Sequence, residues 1–138
     1  MIIVDTSVWV DAFRSPSAQV AVGLSHLIDA DEACVALPVR LELLSGLRRD
    51  RRPVVRRALT ALPVVVPTAE TWQTVERWID MAADAGQRFA IIDLLIAALA
   101  HDLTALVWSL DGDFERMADL GFVRLYQSGP PTDVRRPA

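Results

Sequence analysis

Five carboxylates, Asp5, Glu42, Asp93, Asp111 and Asp113, sit at places where their neighbours are mostly apolar. Asp5 ends the run MIIV, and Asp111 and Asp113 follow the run LVWSL, one residue apart. Each of these three could simply cap a helix, because a carboxylate before a first turn satisfies free backbone N–H groups. Glu42 lies inside VRLELLSG, among Val39, Leu41, Leu43 and Leu44. Gly46, one turn later on the same face, costs about 1 kcal/mol of helix stability relative to alanine, which is explicable if it leaves room beside Glu42. A solvated glutamate on a half-buried helix is the alternative. Asp93 is harder to explain away, as the only charged residue between Arg88 and Asp102, within FAIIDLLIAALA. A lone carboxylate in such surroundings is paired, bound to a cation, or protonated.

Cations within the chain do not suffice. There is no lysine, and Arg40 or Arg88 can pair with one acid but not with four. A divalent cation resolves the repulsion, and magnesium suits hard carboxylate oxygens. Zinc does not fit the inventory: there is one cysteine, and His26 and His101 fall in different expected helices. Cys34, in an apolar segment, reads as a small core residue. A bound cation polarises a phosphoryl oxygen and acidifies its water, and a pair about 3.5–4 Å apart stabilises both attacking and leaving oxygens.

Such acids must be delivered to one place by the elements that carry them. Short apolar runs mark strands at Ile2–Val4, Ala33–Leu37, Pro63–Val66, Leu106–Leu110 and Val123–Tyr126. Helices alternate with them. Thr6 or Ser7 caps the first, through Val8, Trp9, Val10 and Phe13, and the second shows Val20, Leu24, Leu27 and Ile28 on one face. Pro38 opens the helix bearing Glu42, and Pro53 opens the next. Thr68 caps the longest helix, with Trp72, Val75, Ile79 and Ala82 at helical spacing and Gly86 at its end. Ala90–Leu103 is apolar nearly all round and reads as a buried helix, and Phe114–Leu120 is the last, with Asp113 as a candidate cap. Strands alternating with helices indicate an α/β fold with a parallel sheet covered on both faces. In open sheets of this kind, sites form beyond the carboxyl ends of the strands. Asp5 and Asp111 meet there if strands one and four are neighbours.

At 138 residues, 52% hydrophobic and 23% charged, the chain suits one compact domain rather than a disordered segment. No apolar run reaches the roughly 18–20 residues of a membrane span, and MIIVDTSVWV lacks the basic start of a signal peptide, so no membrane partner and a cytoplasmic location are expected. The net charge of −4 is unevenly spread. Between Arg40 and Arg57, seven arginines against two acids give +5, leaving −9 elsewhere. Arg48, Arg51 and Arg52 in that segment are candidate phosphate contacts, though a solvated helix face has the same appearance.

The blocks MIIVDTSVWVDAF, PVRLELLSG, IIDLLIAALA and VWSLDGDF, in this order, resemble the PIN-domain family, and more narrowly the VapC-type toxins of type II toxin–antitoxin pairs. The resemblance runs from Ile2 to about Tyr126. It implies a single PIN-like domain over residues 1–126, with a five-stranded parallel sheet in the order 3-2-1-4-5, followed by a tail over 127–138. The activity it implies is a magnesium-dependent endoribonuclease, with manganese as a substitute, hydrolysing RNA phosphodiesters by metal-activated water. Asp5, Glu42, Asp93 and Asp111 match the family's acidic quartet, and Asp113 its frequent fifth acid. By that likeness Asp5 and Asp93 are the principal metal ligands, and Asp111 and Asp113 hold the metal directly or through water. Glu42 orients water or a second ion, and Thr6 or Ser7 hydrogen-bonds at the edge. A cognate antitoxin and a homodimer are the implied partners. Ser109 stands where threonine is common, keeping the hydroxyl. Competing readings are an aspartyl-phosphate enzyme, disfavoured by the missing lysine, a structure-specific DNA nuclease, and a fold that binds RNA without cutting it.

Overall fold

A computed structural model describes residues 1–128. Strand β1 (Ile2–Val4) leads into α1 (Thr6–Arg14) and α2 (Ala18–Asp29), then β2 (Ala33–Ala36), α3 (Leu37–Gly46) and α4 (Arg52–Thr60). They are followed by β3 (Val64–Val65), α5 (Ala69–Asp84), α6 (Ile91–Asp102), β4 (Leu106–Trp108) and α7 (Gly112–Asp119). The sheet runs β3-β2-β1-β4 with every pairing parallel. Strands one and four are therefore neighbours, with Val4 opposite Trp108.

The fifth strand expected at Val123–Tyr126 is not formed as such. A single parallel bridge joins Leu125 to Val107, through Val107 N–H donating to the Arg124 carbonyl at 3.0 Å and Tyr126 N–H to the Val107 carbonyl at 2.8 Å. The segment lies in the fifth position, beside β4, but only one residue of it pairs. Of the expected tail, residues beyond Ser128 lie outside the described residues.

Every residue of β1 and β2 is buried, as strands covered on both faces require. Helix α6 supplies much of that cover: Leu94 through Ala100 are all buried. Helix α5, packed against it, starts with a capping box, Thr68 N–H donating to Thr71 Oγ1 at 3.0 Å and Thr71 N–H to Thr68 Oγ1 at 3.4 Å. The Thr71 hydroxyl then donates to Asp102 Oδ2 at 2.7 Å, tying the start of α5 to the end of α6. The core-facing side of α5 is centred elsewhere than the expected stripe. Val75, Trp78 and Ala82 are buried, but Trp72 and Ile79 are 51% and 43% exposed. Trp78 stacks on Phe122 at 4.4 Å between ring centroids, on the buried side of the helix. In α2, Val20, Leu24 and Leu27 are buried while Ile28 turns outward. Gly23 marks a close approach: a Cβ there would stand 2.9 Å from the Trp108 ring. Gly46 does not, since a Cβ would meet nothing within 4 Å. As the last residue of α3 it gives up less helix stability than an interior position would, so no crowding beside Glu42 needs to be invoked. Cys34 is buried, as expected.

Candidate active site

Because β1 and β4 run parallel side by side, Asp5 and Ser109 leave the sheet at the same edge. The Asp5 N–H donates to the Trp108 carbonyl at 2.8 Å, extending the ladder to the point where the chains diverge. Asp5 is 4% exposed and is itself the N-cap of α1, the capping role open to it from the sequence, in place of Thr6 or Ser7. The cap lies one residue earlier because those two residues already belong to the first turn, where their hydroxyls serve other acids. The Ser7 hydroxyl donates to Asp5 Oδ2 at 2.8 Å, and the Ser109 hydroxyl donates to the same oxygen at 2.8 Å. Each serine oxygen also accepts a backbone N–H of the β4–α7 turn, Leu110 to Ser7 at 2.9 Å and Asp111 to Ser109 at 3.0 Å. Two hydroxyls thus clamp the carboxylate after β1 to the turn that carries Asp111.

Asp111 caps α7, accepting the Asp113 N–H at 3.0 Å on Oδ1. Asp113 is therefore not the cap that its position before Phe114 suggested. It lies in the first turn of α7 and pairs with Arg116 one turn on. Glu42 reaches the site from α3, its Oε2 accepting the Thr6 hydroxyl at 2.6 Å. Asp93 stands in the first turn of α6, where a carboxylate gains from the helix dipole. That gain is outweighed. Burial first, then the charges of Asp5, Asp111, Asp113 and Glu42, push its carboxyl up to about 7. Asp5 is tied through Ser109 to the turn that carries Asp111, and Glu42 reaches across to the first turn of α1 after Asp5.

Among the described residues, one group offers three acidic ligand atoms close together: oxygens of Asp93, Asp111 and Asp113 lie within 4.8 Å of one another. Asp5 is not in that group, and its Oδ2 accepts both serine hydroxyls. The donor set is hard oxygen throughout, which fits magnesium or manganese and not zinc. Both histidines are elsewhere: His101 packs edge-on against Trp78, and His26 lies in the last turn of α2.

Among the described residues, none of the arginines named as candidate phosphate contacts pairs with the five acids. Arg52 donates its Nε–H to the Leu44 and Leu47 carbonyls at 2.9 and 3.2 Å, closing the end of α3. Arg48 makes an exposed pair with Asp50 at 3.7 Å, and Arg51 is exposed at the start of α4. Neither Arg40 nor Arg88 forms an ion pair among the described residues. The arginine that does reach the acids is Arg116, which sequence reasoning passed over. Its signal was the helical spacing of three from Asp113. Two grooves flank the crevice. One, about 590 Å³, includes Glu42, Ser45, Leu41, Trp72 and Ile92; the other, about 330 Å³, includes Ser109, Asp111, Gln19 and Tyr126.

The PIN domain family matches residues 2–120 of the chain. A VapC ribonuclease of Mycobacterium bovis is 33% identical over 123 residues, 86% of this chain and 92% of its own length. Ribonuclease VapC11 of Mycobacterium tuberculosis matches to the same extent. In fold, the chain is similar to FitAcB from Neisseria gonorrhoeae, with a TM-score of 0.77 at 22% identity over 93% of this chain and 98% of the other. It is also similar to DNA-bound VapBC from Salmonella typhimurium, with a TM-score of 0.79 at 17% identity over the same shares. The acids at the carboxyl edge of a parallel sheet and the match over most of the sequence lead to one assignment: the chain belongs to the PIN domain family, with VapC ribonucleases among its relatives.

Proposed function

We propose that this chain is the toxin of a type II toxin–antitoxin pair, an endoribonuclease that needs a divalent cation. The observation that carries the reading is Asp93, a carboxyl raised to about 7 by burial and by four other acids converging on it. Such an arrangement is costly without a cation and is explained by one. Asp93 and Asp111 would hold the ion, with Asp5 beside them and Asp113 direct or through water. Bound there, magnesium or manganese supplies positive charge at a phosphoryl oxygen and lowers the pKa of a water.

The chain's own groups account for the remainder. Glu42, aimed by the Thr6 hydroxyl, is placed to accept a proton from the attacking water. The two serines at the site are committed to Asp5 and to backbone N–H groups, and no histidine stands near to activate them. Direct attack by water, without a covalent intermediate, is the route this leaves. The flanking grooves give an RNA strand a path past the acids, and Arg48 and Arg51 are exposed for phosphates further along. Arg52 is better understood as a structural residue.

The likeness to VapC ribonucleases, and to structures described as VapBC complexes, supports RNA as substrate and an antitoxin as partner. Exposed Trp72 and Ile79 on α5 offer a surface for the expected homodimer. A cytoplasmic location agrees with this role, and among the described residues no helix is long and apolar enough to cross a membrane. The test is cleavage of a broad transcript pool in magnesium, beside Asp5→Asn and Asp93→Asn. Cleavage by the wild type, lost in both variants and in excess chelator, is expected. RNA left intact by the wild type would favour a protein that binds without cutting.

A further inference from the structure

Arg116 is the one arginine paired with the acid cluster among the described residues. It is held from three sides. Nη2 pairs with Asp113 Oδ1, and Nη1 donates to Gln87 Oε1 at 2.6 Å. The Phe89 ring lies beneath, 5.1 Å from Cζ to the centroid. Helix stability does not call for this much. Arg116 and Asp113 side chains are 44% and 38% exposed, and an ion pair so open to water contributes little to stability. The anchors do something else: they fix the plane of a guanidinium at the rim of the crevice. Of its five N–H donors two are used, and the others have no protein acceptor among the described residues.

A pre-oriented guanidinium with free donors, beside carboxylates suited to a cation, is built for a phosphate. We infer that Arg116 binds a phosphate of the RNA strand lying across the acids, held in place for it by Asp113 Oδ1. This rests on the nuclease reading and assigns its substrate contact. It also explains why the helix begins with two acids. Asp111 caps it, and Asp113 with its partner one turn later carries the positive charge that the rest of the crevice lacks.

The test is RNA binding followed by fluorescence anisotropy, using a labelled unstructured oligonucleotide in calcium over a range of salt. Wild type is compared with R116A, R116K and Q87A, the unfolding temperature of each confirming that it is folded. R116A is expected to bind about tenfold more weakly, as for loss of one charge-assisted contact. Its plot of log affinity against log salt should be shallower by about 0.7, as for one phosphate on a single strand. R116K should keep the salt slope but not the full affinity, because an ammonium cannot reproduce the fork. Q87A should weaken binding in the same direction by less. A merely structural arginine would lower the unfolding temperature and leave the salt slope where it was. Wild-type affinity and slope in R116A would overturn the assignment while the nuclease reading stood. A wild type that neither binds RNA in calcium nor cuts it in magnesium would remove both.

Discussion

Asp5 and Asp93 reach the same crevice from two elements and are built in opposite ways. Asp5, at the end of β1, is buried with donors already in place: its own helix N-terminus and two serine hydroxyls. Asp93, in the first turn of α6, accepts no side-chain hydrogen bond among the described residues and is surrounded by four other carboxylates instead. One carboxylate is satisfied by the fold. The other is left in want of something the polypeptide does not supply. The difference separates the part of the site that holds the structure together from the part that the proposed cation would satisfy.

The largest effects should come from replacing each acid. Asp93→Asn and Asp5→Asn are both expected to reduce RNA cleavage by about 10²-fold or more, as loss of a metal-site carboxylate would. Stability should move in opposite directions. Asp93→Asn removes a half-buried charge among like charges, so urea unfolding of the metal-free protein should shift to higher concentration. Asp5→Ala strands two hydroxyls and a helix end, and should cost about 1–3 kcal/mol in the same experiment. If both variants were destabilised alike, the contrast between the two acids would be lost.

Acidity gives the next effect. The Asp93 carboxyl titrates near 7 in the fold against 3.8 for an ordinary aspartate. Between those values the folded chain holds a proton that the unfolded chain has released, so stability falls as pH rises from about 4 to about 7. This is the reverse of a salt-bridged carboxylate. The melting temperature of the metal-free protein should therefore be lower at pH 8 than at pH 5.5 through this group. Asp93→Asn should reduce that fall, and magnesium at pH 8 should recover part of it in the wild type.

Smaller effects test the clamp and the basic segment. Ser109→Ala takes one donor from Asp5 and the acceptor from the Asp111 N–H, and should cost about tenfold in activity, as loss of a residue supporting a ligand commonly does. Arg51→Ala, on an exposed position, should change stability by less than about 0.5 kcal/mol and only flatten the salt dependence of RNA binding. Arg52→Ala should destabilise more than Arg51→Ala, because it frees two carbonyls at the end of α3. Equal unfolding midpoints would place Arg52 back among the substrate contacts.

Much of this was legible in the chain itself, and the reasons are physical. Asp93 stood out because a single charge in a buried helix violates the pattern of its surroundings, and the structure raises its pKa for that cause. The neighbouring of β1 and β4 and the parallel sheet followed from alternation and from the family resemblance. What stayed hidden depends on side-chain direction, which periodicity does not carry. Trp72 and Ile79 fit a helical stripe as well as Trp78 does, yet only Trp78 finds a ring to stack on. Ser7 and Ser109 are separated by 102 residues and become a pair only when β1 and β4 lie side by side. Arg52 looked like part of a phosphate-binding edge until its donors were seen to close a helix, while Arg116, outside any basic run, is the one beside the acids. Val123–Tyr126 had the composition of a strand but pairs through a single residue.

The central claim is that the crevice holds a divalent cation through Asp93. Its most direct test is calorimetric titration of manganese into the metal-free protein above pH 7, wild type against Asp93→Asn. Saturable binding in the wild type, abolished or weakened about tenfold or more in the variant, is the predicted result. Equal manganese affinity in the two proteins would contradict the account.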